Sequence, residues 1–185
     1  GNVEHVQYDA MSESASLEAF EEVYGKKALP NYDFSDAKTI VSIGADFLGD
    51  WQGGGFEKSY TEGRRIEAGK MSRHIQIESN MSLTGSNADK RIVLKPSEQV
   101  FALINLYNAV TGQNLASKAT SKDGAILTAA KQLKAAGKHG VVITGIQNKN
   151  AQLISLALNE YLESEVMDTA AVKYTRQGND VAVSL

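Results

Sequence analysis

The chain predicts an α/β domain, Rossmann-like and three-layered, with a mainly parallel sheet and helices on both faces. Three observations carry that expectation. Short β-branched runs at 38–44 and 140–145 end in glycine and lack a polar face, as strands buried on both sides do. Stretches of helical period alternate with them. Finally, residues 72–97 read as a strand, a polar loop and a second short strand, which is how an open α/β sheet builds a crevice at its strand ends.

Composition sets the bounds. At 185 residues the chain is one domain of ordinary size, long enough to bury a core. Hydrophobic content of 42% with 22% charged residues is that of a globular chain. A net charge of −3 argues against non-specific nucleic-acid binding, which needs a concentrated basic face. The absence of Cys removes disulfides, thiolate chemistry and cysteine-ligated clusters. No run has the length of a membrane span, so no direct membrane insertion is expected, and no basic-then-apolar leader opens the sequence.

In order, residues 1–11 read as an extended lead-in, 12–163 as the core and 164–185 as a tail. Ser12 or Ser14 can cap a first helix with Leu17, Phe20 and Val23 at helical spacing and Gly25 as its stop. Residues 30–33 read as a loop, and 38–44 as the first and central strand. The glycine-dense segment 45–55 leads into a helix expected over 56–68, with Phe56, Tyr60 and Ile66 inward. Strands follow at 75–77 and 91–94. Ser97 is read as the cap of a helix carrying Val100, Leu103, Ile104 and Tyr107, which Gly112 ends. A polar linker at 116–123 precedes a helix at 124–136 closed by Gly137, then the strand at 140–145. Asn148 or Asn150 caps the helix of Leu153, Ile154, Ala157, Leu158 and Tyr161. The tail holds two β-prone pieces, 172–174 and 181–183, either a hairpin or a fragment of a neighbouring unit.

Few residues point to chemistry. G-A-D-F-L-G-D at 44–50 is not the dinucleotide fingerprint G-x-G-x-x-G, and its two aspartates repel phosphate. His74 can be a proton relay or ligand, but a hydrogen-bonded histidine opening a strand is the plainer reading. His5 and His139 give no metal spacing with it. Glu78 ends a strand at the crevice, where a carboxylate can hold a ribose or can instead form a salt bridge and cap the loop. Thr84, Ser86 and Asn87 can donate to a ligand or satisfy their own loop. Asp46 and Asp50 with Trp51 form a polar and aromatic patch, read as loop-stabilising. Lys58, Arg64, Arg65, Lys70 and Arg73 are read mostly as a solvated face. No Ser-His-Asp set, phosphate loop or paired metal carboxylates are legible, so no catalytic or metal-binding residue is assigned.

The segment M-S-L-T-G-S-N-A-D-K-R-I-V-L-K-P-S-E-Q at 81–99 resembles the part of molybdopterin oxidoreductases (the dimethyl sulfoxide reductase superfamily) that ends one cofactor-domain strand. Residues 45–49, 71–74 and 83–89 resemble more closely the large iron–sulfur subunit of alternative complex III, a bacterial quinol:electron-acceptor oxidoreductase. The likeness covers roughly 20–162 and implies one domain excised from a larger, multidomain subunit. In that superfamily the positions matching Gly44, Asp46 and Glu78 contact a molybdopterin guanine dinucleotide. Here Asp46 stands where active members usually have Asn, and Glu78-Ser79-Asn80 where they often have Asp-Pro-Arg. Pro96-Ser97-Glu98-Gln99 replaces Pro-Gly-x-Asp. Charge-assisted bonds of the kind lost contribute about 1.5–3 kcal/mol each.

The resemblance therefore implies a degenerate cofactor domain without its own cofactor. It would act as scaffold and subunit contact on the periplasmic side of the cytoplasmic membrane. Its partners would be other domains of the same subunit and other subunits of a membrane-bound respiratory complex. The alternative is a true molybdopterin guanine dinucleotide-binding domain, with Gly44, Asp46, Glu78, Thr84 and Asn87 at the nucleotide. A stand-alone small-ligand or nucleotide-binding domain is a third reading.

Overall fold

The computed structural model describes residues 3, 5–66, 69 and 71–183. In chain order these form α1 (Ser14–Tyr24), β1 (Leu29–Tyr32), β2 (Thr39–Ile43), α2 (Glu57–Glu62), β3 (Arg73–Glu78), α3 (Leu83–Ser86) and β4 (Lys90–Val93). They continue through α4 (Pro96–Thr111), α5 (Asp123–Ala136), β5 (Gly140–Thr144), α6 (Lys149–Tyr161), β6 (Met167–Lys173) and α7 (Asp180–Val183). The main sheet is wholly parallel in the order β4-β3-β2-β5, and β1 pairs antiparallel with β6 beside it. This is the expected Rossmann-like α/β architecture.

Register decides which side chains share a face. Val41 lies opposite Ile75 and Val142, whereas Ile40 lies opposite His74 and Val141. On the first face Val41, Ile43, Ile75, Ile77 and Ile92 meet Leu103, Leu106 and Val110 of α4, Ile126 and Leu133 of α5 and Leu158 of α6. On the second face Ile40, Val141 and Ile143 meet a cluster of Tyr32, Phe34, Phe47, Trp51, Phe56 and Tyr60. Phe34, Phe47 and Phe56 are fully buried or nearly so, and each contributes roughly 1.5–3 kcal/mol. Helices thus seal one face, while α2 and aromatic loops seal the other.

Helix ends follow the local chemistry. Gly25 and Gly112 close α1 and α4 in the left-handed conformation, at φ 69° and 79°. The Asn148 side chain accepts from Ala151 N–H and caps α6.

Several expectations need correction. Residues 29–32 are strand β1, not loop, because β6 returns to pair with them; the tail forms neither a hairpin nor a separate piece. The helix expected over 56–68 ends at Glu62, Ile66 is exposed, and Ala68 and Lys70 lie outside the described residues. Pro96 opens α4 with Lys95 before it, so Ser97 is not the cap; Glu98 Oε2 accepts from Lys95 N–H instead. The buried stripe of α4 is Ala102, Leu103, Leu106 and Val110, rotated from the expected one, and Val23 of α1 is exposed. Within the polar loop, Ser82 caps the short helix α3 by accepting from Gly85 N–H. Strand β3 is buried as expected, and its second face is polar.

Candidate functional site

That polar face is built by strand alternation. His74, Gln76 and Glu78 point to one side of β3 and form a continuous hydrogen-bonded chain. The Tyr60 hydroxyl lies 3.0 Å from His74 Nδ1 and 3.1 Å from the Asn87 carbonyl oxygen. Gln76 Nε2 donates to the Ala45 carbonyl and to Glu78 Oε2, which leaves its Oε1 to accept from His74 Nε2–H at 3.3 Å. Burial dominates His74 and pulls its pKa down to about 4, so the ring is neutral near pH 7. At the start of the strand, Asp89 accepts from Arg64 through both oxygens and from His74 N–H. The Arg64 guanidinium holds the Asp89 carboxyl down at about 2.

Glu78 ends the chain. It accepts from Arg91 Nε at 2.5 Å, Ser82 Oγ at 2.6 Å, Gln76 Nε2 at 3.2 Å and Ser82 N–H at 3.3 Å. Burial alone would raise its pKa; the Ser82 and Arg91 hydrogen bonds outweigh that and hold the carboxyl below the usual range. Gly85 packs against this carboxylate so closely that a Cβ there would collide with it. Both oxygens are engaged within the protein.

The crevice proper lies elsewhere. After β2 the chain builds β3 and β4 on one side and then crosses to place β5 on the other. The carboxyl ends of β2 and β5 are therefore the topological switch point, where open α/β sheets take their ligands. A cavity of about 430 Å³ sits there, lined by Gly44 and Asp46 after β2, Gly145 and Gln147 after β5, Asp50 and Trp51, Glu13 just before α1 and Arg176 of the tail. The two glycines permit the strands' exits to touch, since a Cβ on Gly145 would strike the Gly44 carbonyl.

Of the sequence-predicted residues, the structure brings Gly44 and Asp46 to this cavity. Thr84 is tied to it indirectly: Asp46 Oδ1 accepts from Thr84 N–H at 2.9 Å, and Thr84 Oγ1 accepts from Leu48 N–H at 2.9 Å. That reciprocal clamp locks the loop after β2 to α3. Asn87 donates to the Leu83 carbonyl and Ser86 Oγ within its own turn, and Glu78 is absorbed by its four donors, so neither lines the cavity.

Glu13, Gln147 and Arg176 were not legible as site residues. Glu13 is buried; its oxygens accept from Gln52 N–H and Ser16 Oγ, and burial pushes its carboxyl up despite those bonds. Arg176 donates to Asp50 Oδ1 at 2.7 Å and to the Met11 carbonyl at 3.1 Å, which draws tail and lead-in together over the cavity mouth. Asp9 Oδ2 accepts from Gly178 N–H, and Gln7 O from Asn179 N–H, in the same clasp.

The site's chemistry follows from these partners. Its carboxylates are Glu13, Asp46 and Asp50, against the one guanidinium of Arg176, itself paired with Asp50. The N–H groups of Gly44, Leu48, Gly49, Trp51, Gln52, Thr84 and Gly145 all donate inside the chain. A dinucleotide's diphosphate needs donors and positive charge, and those residues do not fit it. Among the described residues no group of three or more His, Asp or Glu side chains is placed to hold a metal ion, and no helix is long and apolar enough to cross a membrane.

The fold and crevice together define the class: a Rossmann-like α/β domain whose switch-point cavity is acidic and covered by its own chain ends. No protein-family model matches the sequence, and comparison with curated proteins finds no significant match.

Proposed function

We propose that this chain is a non-catalytic, molybdopterin-oxidoreductase-like domain of a respiratory quinol:electron-acceptor oxidoreductase of the alternative complex III kind. Its role there is scaffold and subunit contact, on the periplasmic side of the membrane. The observation that supports this reading is the state of the crevice. The positions that would serve a nucleotide are turned to internal use, Glu78 by Arg91 and Ser82, Asp46 and Thr84 by one another's loops. Carboxylates line what space remains. Family membership itself rests on the sequence resemblance at 45–49, 71–74 and 81–99.

A second reading, a molybdopterin guanine dinucleotide-binding domain of an active oxidoreductase, has one observation in its favour: the cavity lies at the switch point between β2 and β5. Titration with GDP and GMP, followed by calorimetry and thermal shift, separates the two. The scaffold reading expects no heat and no stabilisation at millimolar nucleotide. Micromolar binding that Asp46→Ala alters would overturn it, since saturation at 100 times Kd would stabilise the fold by about 2.7 kcal/mol.

A further inference from the structure

The two edges of the main sheet are treated very differently. At β5 the outer edge is sealed by side chains. Asn159 accepts from Val142 N–H at 2.8 Å and donates to Val142 O at 2.8 Å, as a neighbouring strand would. Ser155 also donates to Val142 O, Ser164 to Gly140 O and Gln152 to Thr144 O. At β4 no strand or side chain among the described residues takes that role. Backbone groups of an edge strand alternate between its neighbour and open space, so β4 offers a partner its outward N–H and C=O groups.

The flank of β4 has a defined chemistry. Val93 is 49% exposed, and a cleft of about 480 Å³ runs beside the strand, lined by Ile75, Ile92, Ala125 and Ala129 with Arg73 and Lys90 at its rim. Lys90 and Lys95 bracket the strand. The acids nearest in the chain are already engaged: Glu78 by Arg91, Asp89 by Arg64, Glu98 by Ser121 N–H. What remains exposed along the edge is Val93, with Lys90 and Lys95 on either side of it.

We propose that the β4 edge is a strand-addition site for an extended segment of another polypeptide, apolar at alternate positions and acidic at its ends. A second copy of this chain is the wrong occupant. Antiparallel pairing of residues 90–95 with the same residues of a copy sets Lys90 opposite Lys95 twice, and like charges directly opposite are destabilising. An acidic segment reverses both contacts, main-chain bonds supply affinity, and the cleft takes the alternate apolar side chains. The proposal deepens the scaffold reading and rests on it for the existence of a partner.

The test is NMR titration of the isotope-labelled chain with two capped synthetic peptides, Asp-Val-Thr-Val-Thr-Glu and its counterpart with Lys at both ends. At about 1 mM, the concentration suited to so short a strand, the acidic peptide should shift amides of 90–95 and the basic one should not. The double variant Lys90→Glu/Lys95→Glu should weaken the acidic peptide by about tenfold and favour the basic one. Equal binding of both peptides, no shifts from either, shifts confined to the crevice, or dimerisation of the chain through β4 would each overturn the proposal. Nucleotide binding at the crevice with β4 shifts intact would remove the scaffold reading alone.

Discussion

Replacing Glu78 with Ala separates a structural carboxylate from a ligand-binding one. The change strips an acceptor from four donors: Gln76 Nε2, Ser82 N–H, Ser82 Oγ and Arg91 Nε. Bonds to an ionised group contribute ~1.5–3 kcal/mol each, but partners that reach water recover part of that. Ser82 borders solvent and the Arg91 side chain is 25% exposed, so roughly 3–4 kcal/mol should be lost, within the span for breaking a buried pair. In a chain of this length that lowers Tm by about 10 °C. Urea unfolding gives the free energy, and the cycle with Arg91→Met should return a coupling of about 2 kcal/mol.

The acid side supplies a second check on Glu78. A carboxyl held below its usual pKa stabilises the fold fully above the unfolded value near 4.3 and loses that contribution as pH falls toward the folded value. Parent and variant should therefore converge in acid. A variant within about 0.5 kcal/mol of the parent at pH 7 would refute the structural role.

Two further outcomes follow from buried polar groups. His74, lowered to about 4 by burial, should cost the fold about 3 kcal/mol as pH falls from the unfolded value of ~6.5 to 4, because the unfolded chain takes up its proton first; an NMR titration of the ring with a midpoint near 6.5 would contradict this. Asn159→Leu should lower stability by roughly 1–3 kcal/mol by leaving the Val142 N–H unpaired beneath α6 and its C=O with Ser155 Oγ alone, measured by thermal unfolding, with no loss if water replaces the amide.

The parallel sheet was legible because 38–44 and 140–145 carry the β-branched, glycine-ended pattern of strands buried twice over. β1 was not, since Leu-Pro-Asn-Tyr has turn chemistry and becomes a strand only when β6 arrives from far along the chain. His-Ile-Gln-Ile-Glu reads as a buried strand ending in a carboxylate and is one, but the partners Tyr60, Ala45 and Arg91 that satisfy its polar side chains inside the protein come from other segments. In the site, Gly44 and Asp46 line the cavity at the end of a strand that the sequence makes legible. Glu13 and Arg176 reach it through contacts between residues 39 and 126 positions apart, which no local pattern encodes. At Glu78, the loop-capping and salt-bridge reading describes the observed bonds, and only the geometry of four converging donors could select it.

Trp51 gives the molecule an optical property. It is the one tryptophan in the chain, 7% exposed, with an indole nitrogen that finds no hydrogen-bond partner among the described residues. Tyr32 and Phe56 stand 5.5 and 5.6 Å from its ring, and the ring borders the switch-point cavity. Its emission should be blue-shifted and fed by energy transfer from Tyr32. Anything that enters the cavity, or frees the Arg176 clasp, then changes the colour and yield of a single intrinsic fluorophore. The crevice reports its own occupancy without a label.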